Sequence, residues 1–246
     1  MKKAITLFIF INCILYAYPQ SGGYGEPGEG VTDIDGNFYP SVIIGKQEWM
    51  AENLRVTRDA NGNDITRYCY DNDATNCDLY GGLYTWNTIM NGATSSNSNP
   101  SNVQGICPVG WHVPSHIEWT ELVDYLVSQG YHNSNVVNGA GTALISCRQV
   151  SSPLGGDCAT LEHPRWDWHS TGYGTDEFGF SALPGGNRTL FGTYFNLGVF
   201  GIWWTSTEYS SNDAWYRFLS LDFSGIVSFR YFDKDLGSSV RCVRDN

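Results

Sequence analysis

Seven cysteines, and where they fall, constrain this 246-residue chain more than any other feature. Cys13 lies in an N-terminal apolar run. The other six are Cys69, Cys77, Cys107, Cys147, Cys158 and Cys242. The apolar run has the layout of a secretory signal peptide over residues 1–17. Lys2 and Lys3 give the positive start, Ile5 to Leu15 the apolar segment, and Ala17 a small residue for cleavage. The run is shorter than the roughly 20 apolar residues of a membrane-spanning helix. Cys13 raises lipid anchoring as an alternative, but Asn12 before it and the apolar residues after it argue against that. Six cysteines in an exported chain point to disulfides, and six allow fifteen connectivities. Spacing suggests Cys69–Cys77 and Cys147–Cys158 as local staples, which leaves Cys107–Cys242. No C-x-x-C pair or zinc-finger spacing is present, and an even count leaves no free thiol to act as a nucleophile. The expected location is therefore secreted or at the cell surface.

Charge narrows the partners. The formal net charge is −11, and loss of Lys2 and Lys3 with residues 1–17 takes it to −13. Such a surface repels nucleic-acid phosphates and anionic membranes. Aromatics make up 15% of the chain and charged residues only 16%, below the usual quarter. With 28 glycines and no second long apolar run, the composition suits a loop-rich extracellular domain without a transmembrane span.

Residues 18–30 read as a Gly/Pro linker. From Val31 the pattern is β, with Asp35-Gly36 and Gly45-Lys46 as turns and Gln47 to Met50 as a return strand. One segment is plainly helical. Ser115 and Glu118 form a capping box, and Trp119, Leu122, Val123 and Leu126 make one apolar stripe, with Glu118, Glu121 and Asp124 on the polar face. Short helices are expected over 81–90 and 141–146. Residues 91–102 read as a low-complexity polar loop and 148–176 as a long irregular region. After Gly179, strands are expected over 180–183, 191–195, 202–205, 214–222, 226–232 and 239–243, with a turn at Pro184-Gly185-Gly186.

Several motifs together carry a resemblance. They are Val31 to Tyr39, Ile44 to Leu54 with its Ala-Glu-Asn-Leu ending, Tyr80-Gly-Gly-Leu-Tyr-Thr-Trp86, and Cys107-Pro-Val-Gly-Trp-His-Val-Pro114 with Glu118-Trp119. Gly179 to Arg188, Trp203-Trp-Thr-Ser-Thr207 and Ser239-Val-Arg-Cys-Val-Arg244 follow in order. The chain resembles the Fibrobacter succinogenes major paralogous domain over about residues 31–246, a bacterial family of exported proteins. The resemblance implies an α+β, C-type-lectin-like fold with two main helices, a small twisted antiparallel sheet, long loops, and terminal strands lying together. Formylglycine-generating enzymes share that fold, but their activity needs cysteines that this chain offers only as Cys242, expected to be paired.

Candidate functional residues are few. Asp33-Ile-Asp35-Gly36-Asn37 has the start of a calcium loop, yet its twelfth position is Ile44, so a hairpin turn is the better reading. Asp59, Asn61, Asn63 and Asp64 crowd one polar loop, and Asp71, Asn72, Asp73 and Asp78 another. Calcium at either competes with solvated turns. The sugar-binding tripeptides and Trp-Asn-Asp of calcium-dependent lectins are absent. His112, His116, His132, His163 and His169 are scattered, and no hydrolase, phosphate-loop or metalloprotease motif appears. The aromatic residues late in the chain stand out. Alternation turns one of Trp203 and Trp204 inward and the other outward. Trp166, Trp168, Trp203, Trp204, Tyr209, Asn212, Asp213 and Trp215 form the expected ligand-binding set, on the loops of 148–176 and 205–214. The expected function is a non-catalytic binding or adhesion module for a glycan or protein, with no resident metal or cofactor. A structural or self-assembling surface protein is the first alternative, and an enzyme related to the formylglycine-generating enzymes the second.

Overall fold

The computed structural model describes residues 25–136 and 138–245. The expectations for the signal peptide, for Cys13 and for residues 18–24 lie outside the described residues. Five short strands open the domain: β1 (Glu26–Pro27), β2 (Val31–Thr32), β3 (Phe38–Tyr39), β4 (Ser41–Ile44) and β5 (Gln47–Met50). Four helices follow: α1 (Ala74–Tyr80), α2 (Trp86–Met90), α3 (His116–Ser128) and α4 (Ala140–Leu144). Six strands close the chain: β6 (Gly185–Arg188), β7 (Tyr194–Leu197), β8 (Phe200–Glu208), β9 (Asp213–Ser220), β10 (Ser228–Asp233) and β11 (Val243–Asp245).

The architecture is α+β, with all strand pairs antiparallel. One sheet runs β1-β4-β5-β11 and a second β10-β9-β8, with β2-β3 and β6-β7 as separate hairpins. The two ends of the domain meet: Val243 pairs with Trp49 and Asp245 with Gln47. The Cys107–Cys242 disulfide ties the approach to α3 to that junction, and Cys69–Cys77 and Cys147–Cys158 close the local loops.

Two apolar cores lie on opposite faces of the same strands. Trp49 of β5 and Trp203 of β8 point into one, with Trp119, Leu122 and Leu126 of α3 and with Phe180. Their neighbours Met50 and Trp204 point into the other, with Tyr84, Ile89 and Trp111. Alternation therefore holds, but both faces are covered. The capping box is present: Ser115 Oγ accepts from Glu118 N at 3.1 Å and Glu118 Oε2 accepts from Ser115 N at 2.7 Å. Glu118 is buried rather than on a wet face, because it also accepts from Ser101 N and meets His112 Nε2.

Several expectations are corrected. The linker reading fails at its end, since Glu26–Pro27 pairs with Val42–Ile43 and Gly28 donates to Ser41 O at 2.9 Å. A Cβ at Gly28 would stand 2.2 Å from Ser41 Oγ, so this glycine serves close approach, not looseness. Helix α1 occupies the acidic Asp71–Asp78 stretch, where Asp73 caps it by accepting from Thr75 N at 2.9 Å. The helix expected over 81–90 begins only at Trp86, after the Thr85 cap. Among the described residues only α3, at 13 residues, is a long helix. No strand forms at 180–183, because Arg241 takes the Phe180 and Ser181 carbonyls and Ser181 sits at φ 52°. Gly185-Gly186 opens β6 instead of a turn, the strand expected at 191–195 is β7, and the last strand starts at Val243.

Candidate functional site

The register of the second sheet builds one aromatic face. Trp203 lies opposite Arg217, Phe229 opposite Arg217, and Tyr231 opposite Trp215, so these side chains share one side. At the β8 end that side is roofed by α3, where the Trp203 and Trp119 rings lie 6.0 Å apart. Toward β10 the helix no longer covers it. Tyr209, Phe229 and Tyr231 are 49%, 46% and 46% exposed, and Trp215 is half-buried beside them. Tyr209 and Tyr231 stack at 3.7 Å with a 10° interplanar angle. Trp215 meets them edge-on at 5.1 and 5.6 Å, and His116, at the start of α3, touches Trp215 and Phe229 at 5.0 and 5.1 Å.

The hairpin that carries Tyr209 is fixed by its own polar groups. Tyr209 N and Ser210 N donate to Asp213 O at 2.9 and 3.0 Å, and Ser210 Oγ donates to Asp213 Oδ2 at 2.9 Å. Lys234 Nζ donates to Glu208 Oε2, Ser210 O and Ser211 O at 2.9, 3.0 and 3.0 Å. The polar loop of residues 91–102 is a strap beside it. Glu208 N donates to Ser95 Oγ at 2.9 Å, Thr207 Oγ1 donates to Ser96 O at 2.7 Å, and Ile117 N donates to Asn97 Oδ1 at 3.3 Å. Strand, hairpin and helix start are thus held together by their own hydrogen bonds, an arrangement that would lower the ordering cost of any contact made there.

Beneath the rings lies a buried cation. Arg217 donates to His116 O at 2.7 Å and Thr120 Oγ1 at 2.6 Å, with its Cζ 5.3 Å from the Phe229 centroid. Burial pushes the guanidinium down to about 10, still charged at neutral pH. Burial, and then the Arg217 charge, push the His116 imidazole down to about 4, so it is neutral. The surface offers aromatic faces and edges, with hydroxyl and carboxylate groups around them.

The expected ligand set divides. Tyr209, Asn212, Asp213 and Trp215 come together on the β8–β9 hairpin. Trp166, Trp203 and Trp204 do not belong to any surface: all three are fully buried. Their indole N–H groups donate inside, to Ala182 O at 3.0 Å, Asn53 Oδ1 at 2.7 Å and Tyr84 O at 2.9 Å. The expected outward Trp of the 203–204 pair does not exist, because a second core covers that face. Trp168 is 63% exposed but lies in the 148–176 segment, and no ring contact joins it to the patch among the described residues. Sequence reasoning missed Phe229 and Tyr231. Their alternation in Phe229-Arg-Tyr231 was visible, but only the β9–β10 register sets them beside Trp215 and Tyr209.

The acidic loops have other work. Asp33 accepts from Asp35 N, Asn37 N, Asn37 Nδ2 and Tyr39 Oη at 2.9, 2.9, 2.8 and 2.7 Å. Asp59 repeats the pattern, accepting from Asn61 N, Asn63 N, Asn63 Nδ2 and Asn91 Nδ2 at 2.9, 2.9, 3.0 and 3.2 Å. These donors, the Asn63 side chain first, hold the Asp59 carboxyl down at about 2. Both loops are the same Asp-x-Asp/Asn-Gly-Asn turn, with the carboxylate tying its own backbone. Among the described residues no three His, Cys, Asp or Glu groups converge to hold a metal.

Comparison with known proteins follows the fold. No curated protein and no solved structure matches the chain. The model of the Fibrobacter succinogenes major domain matches residues 42–244, which span both sheets from β4 to β11, and the chain belongs to that family.

Proposed function

We propose that this is an exported, non-catalytic binding module of C-type-lectin-like architecture, and that its ligand is a glycan chain. The ligand face is the patch of Tyr209, Trp215, Phe229 and Tyr231. The observation that carries the reading is half-exposed aromatic surface on a hairpin fixed by its own hydrogen bonds. Large rings are ordinarily buried, and an exposed contiguous cluster beside polar groups marks a recognition surface. Sugar C–H faces stack on such rings, and Asn212, exposed in the turn, stands beside them to meet hydroxyls. The lectin-like reading is supported by the pairing of β11 with β5, the helix α3 packed on the core, and the long irregular 148–176 segment. Three disulfides suit an oxidising compartment, and no helix among the described residues is long and apolar enough to cross a membrane.

The test is a glycan array with the disulfide-intact domain, run with and without calcium, beside Tyr209→Ala, Trp215→Ala and Tyr231→Ala. Each variant is expected to weaken a positive interaction about tenfold or more, roughly 1.4 kcal/mol, with little change in melting temperature. Bound glycan recovered unchanged in mass after long incubation separates binding from hydrolysis. No glycan bound by the folded domain, or binding that survives all three substitutions, overturns the proposal.

A further inference from the structure

We propose that two copies of this domain join edge to edge through β10, forming one continuous sheet across a twofold axis. β10 is the outer strand of its sheet. It pairs with β9 over six consecutive residues, Ser228↔Phe218 to Asp233↔Asp213, and no other described strand lies on its far edge. Natural edge strands are guarded by proline, charged side chains (lysine above all), a bulge or short length, and the charge that β10 carries at its middle is Arg230. β10 is six residues long and contains neither Pro nor Lys, and the bulge of this sheet lies between Trp204 and Glu208. The following Lys234 is turned inward, 10% exposed at its side chain, and spent on the hairpin. Phe229, Tyr231 and Phe232 each remain about half exposed along the open edge.

The strand's own sequence selects a second copy as occupant. Side chains opposite one another across an antiparallel pair share a face, so a twofold pairing must centre on a residue. Centred on Arg230, the two guanidinium groups face each other, which is unfavourable. Centred on Phe232 or on Phe229, only three residues of each β10 oppose one another, against five for Arg230 or Tyr231. Centred on Tyr231, Arg230 lies opposite Phe232 twice, a cation over a ring, and Phe229 lies opposite Asp233. Of the two five-residue registers, that one alone opposes no like charges. It also places Trp215, Tyr231, the other Tyr231 and the other Trp215 on four neighbouring strands of one face. At about 4.8 Å per strand this row spans roughly 14 Å. The extended row as a ligand platform rests on the proposed glycan-binding reading; the pairing itself does not.

Sedimentation velocity of the ligand-free, disulfide-intact domain, up to about 100 µM, tests the pairing. A dimer is expected. Phe232→Arg, which sets Arg against Arg twice, should weaken it at least tenfold, and adding Arg230→Glu to that variant should restore it. Tyr231→Cys should form an intermolecular disulfide on mild oxidation, whereas Arg230→Cys should not. Melting curves identify variants that fail to fold, and the cysteine pair decides the register without relying on Phe232. A wild-type monomer throughout the range, a double variant that stays monomeric, or cross-linking through Arg230→Cys instead overturns the proposal. Monomeric protein that still binds glycan rejects the pairing and keeps the ligand face; a dimer that binds none does the reverse.

Discussion

Replacing Asn53 by alanine should be among the most damaging single changes in the domain. Asn53 is buried, and its Oδ1 accepts from Trp203 Nε1 at 2.7 Å and from Arg241 Nε and Nη2 at 3.2 and 2.9 Å. Its Nδ2 donates to Tyr80 O at 2.9 Å. Alanine would strand one neutral donor, one carbonyl and part of a buried guanidinium. Among the described residues no carboxylate is in ion-pair contact with Arg241. Its other support includes the Phe180 and Ser181 carbonyls, the Phe180 and Trp203 rings, 4.3 and 5.7 Å from Cζ, and the longer-range charge of Asp176. A lost bond to a charged group costs about 1.5–3 kcal/mol and a stranded neutral donor about 1–3. With some relaxation, Asn53→Ala should cost about 3–5 kcal/mol, against a whole-domain stability of about 5–15. Urea denaturation of the oxidised protein reads this as a midpoint lowered by more than about 1 M at unchanged slope. Arg241→Met removes the charge that Asn53 serves, so the double variant should be less damaged than the two single costs predict, by about 1–3 kcal/mol. A loss below about 1 kcal/mol for Asn53→Ala, or strict additivity with Arg241→Met, would refute the claim that this residue is a structural hub.

The other stability predictions concern pH and covalent closure. The folded-state pKa of His116 is about 4 against an ordinary 6.5, so the unfolded chain binds more protons between those values. The stability that the neutral ring contributes is present above about pH 6.5 and lost as pH falls toward 4. Partial exposure reduces the effect to about 1–2 kcal/mol. His116→Phe should flatten this slope relative to wild type in urea titrations at pH 7, 5.5 and 4.5, and an identical slope in both proteins would count against the assignment. Removing the Cys107–Cys242 bridge with paired alanines opens a loop of 135 residues and should cost up to about 5 kcal/mol. The same change at Cys147 and Cys158, 11 apart, should cost about 2–3. Equal losses in thermal melts would speak against the loop-length account.

What could be read from the sequence was whatever local chemistry decides. The α3 cap needs only Ser115 and Glu118 three apart, and the disulfides followed from short spacings and a remainder. The alternation in β8 to β10 was likewise legible. What failed needed a partner that spacing does not name. Alternation sends Trp203 and Trp204 to opposite faces, but it is silent on whether each face is covered. Glu118 belongs to the polar face by periodicity, yet Ser101, Ser115 and His112 surround it with donors. The acidic stretch around Asp73 looked like a loop because its helix is short and is set by one cap and one disulfide. Phe229 and Tyr231 became candidates only once β9 fixed their register.

The residues that carry the family resemblance converge on one place, and it is not the proposed ligand face. Asn53, Tyr80, Trp203 and Arg241 come from four separate motifs and meet in one buried hydrogen-bonded cluster. Gly185, from a fifth motif, and Ser239, from the same motif as Arg241, border it: a Cβ at Gly185 would lie 3.1 Å from Ser239 Oγ. These motifs therefore describe how the chain closes. Tyr209, Trp215, Phe229 and Tyr231 all fall between Thr207, where one motif ends, and Ser239, where the next begins. The segment between them holds the central strand β9, whose Ala214 and Leu219 point into the two cores, and the edge strand β10, whose rings lie at the surface. Its surface rings contribute little to the core. Replacing residues 209–233 by the corresponding segment of another family member, with the buried Ala214, Arg217, Leu219, Leu221 and Val227 kept, should thus move ligand preference while leaving the melting temperature within a few degrees. Replacing Trp203 alone by alanine should instead unfold the domain by about 3–5 kcal/mol. Comparing both proteins by thermal melt and glycan array decides the matter. If the exchanged segment destabilises the fold as much as Trp203→Ala, or leaves ligand preference unchanged, the division between a closing scaffold and a separate recognition edge is wrong.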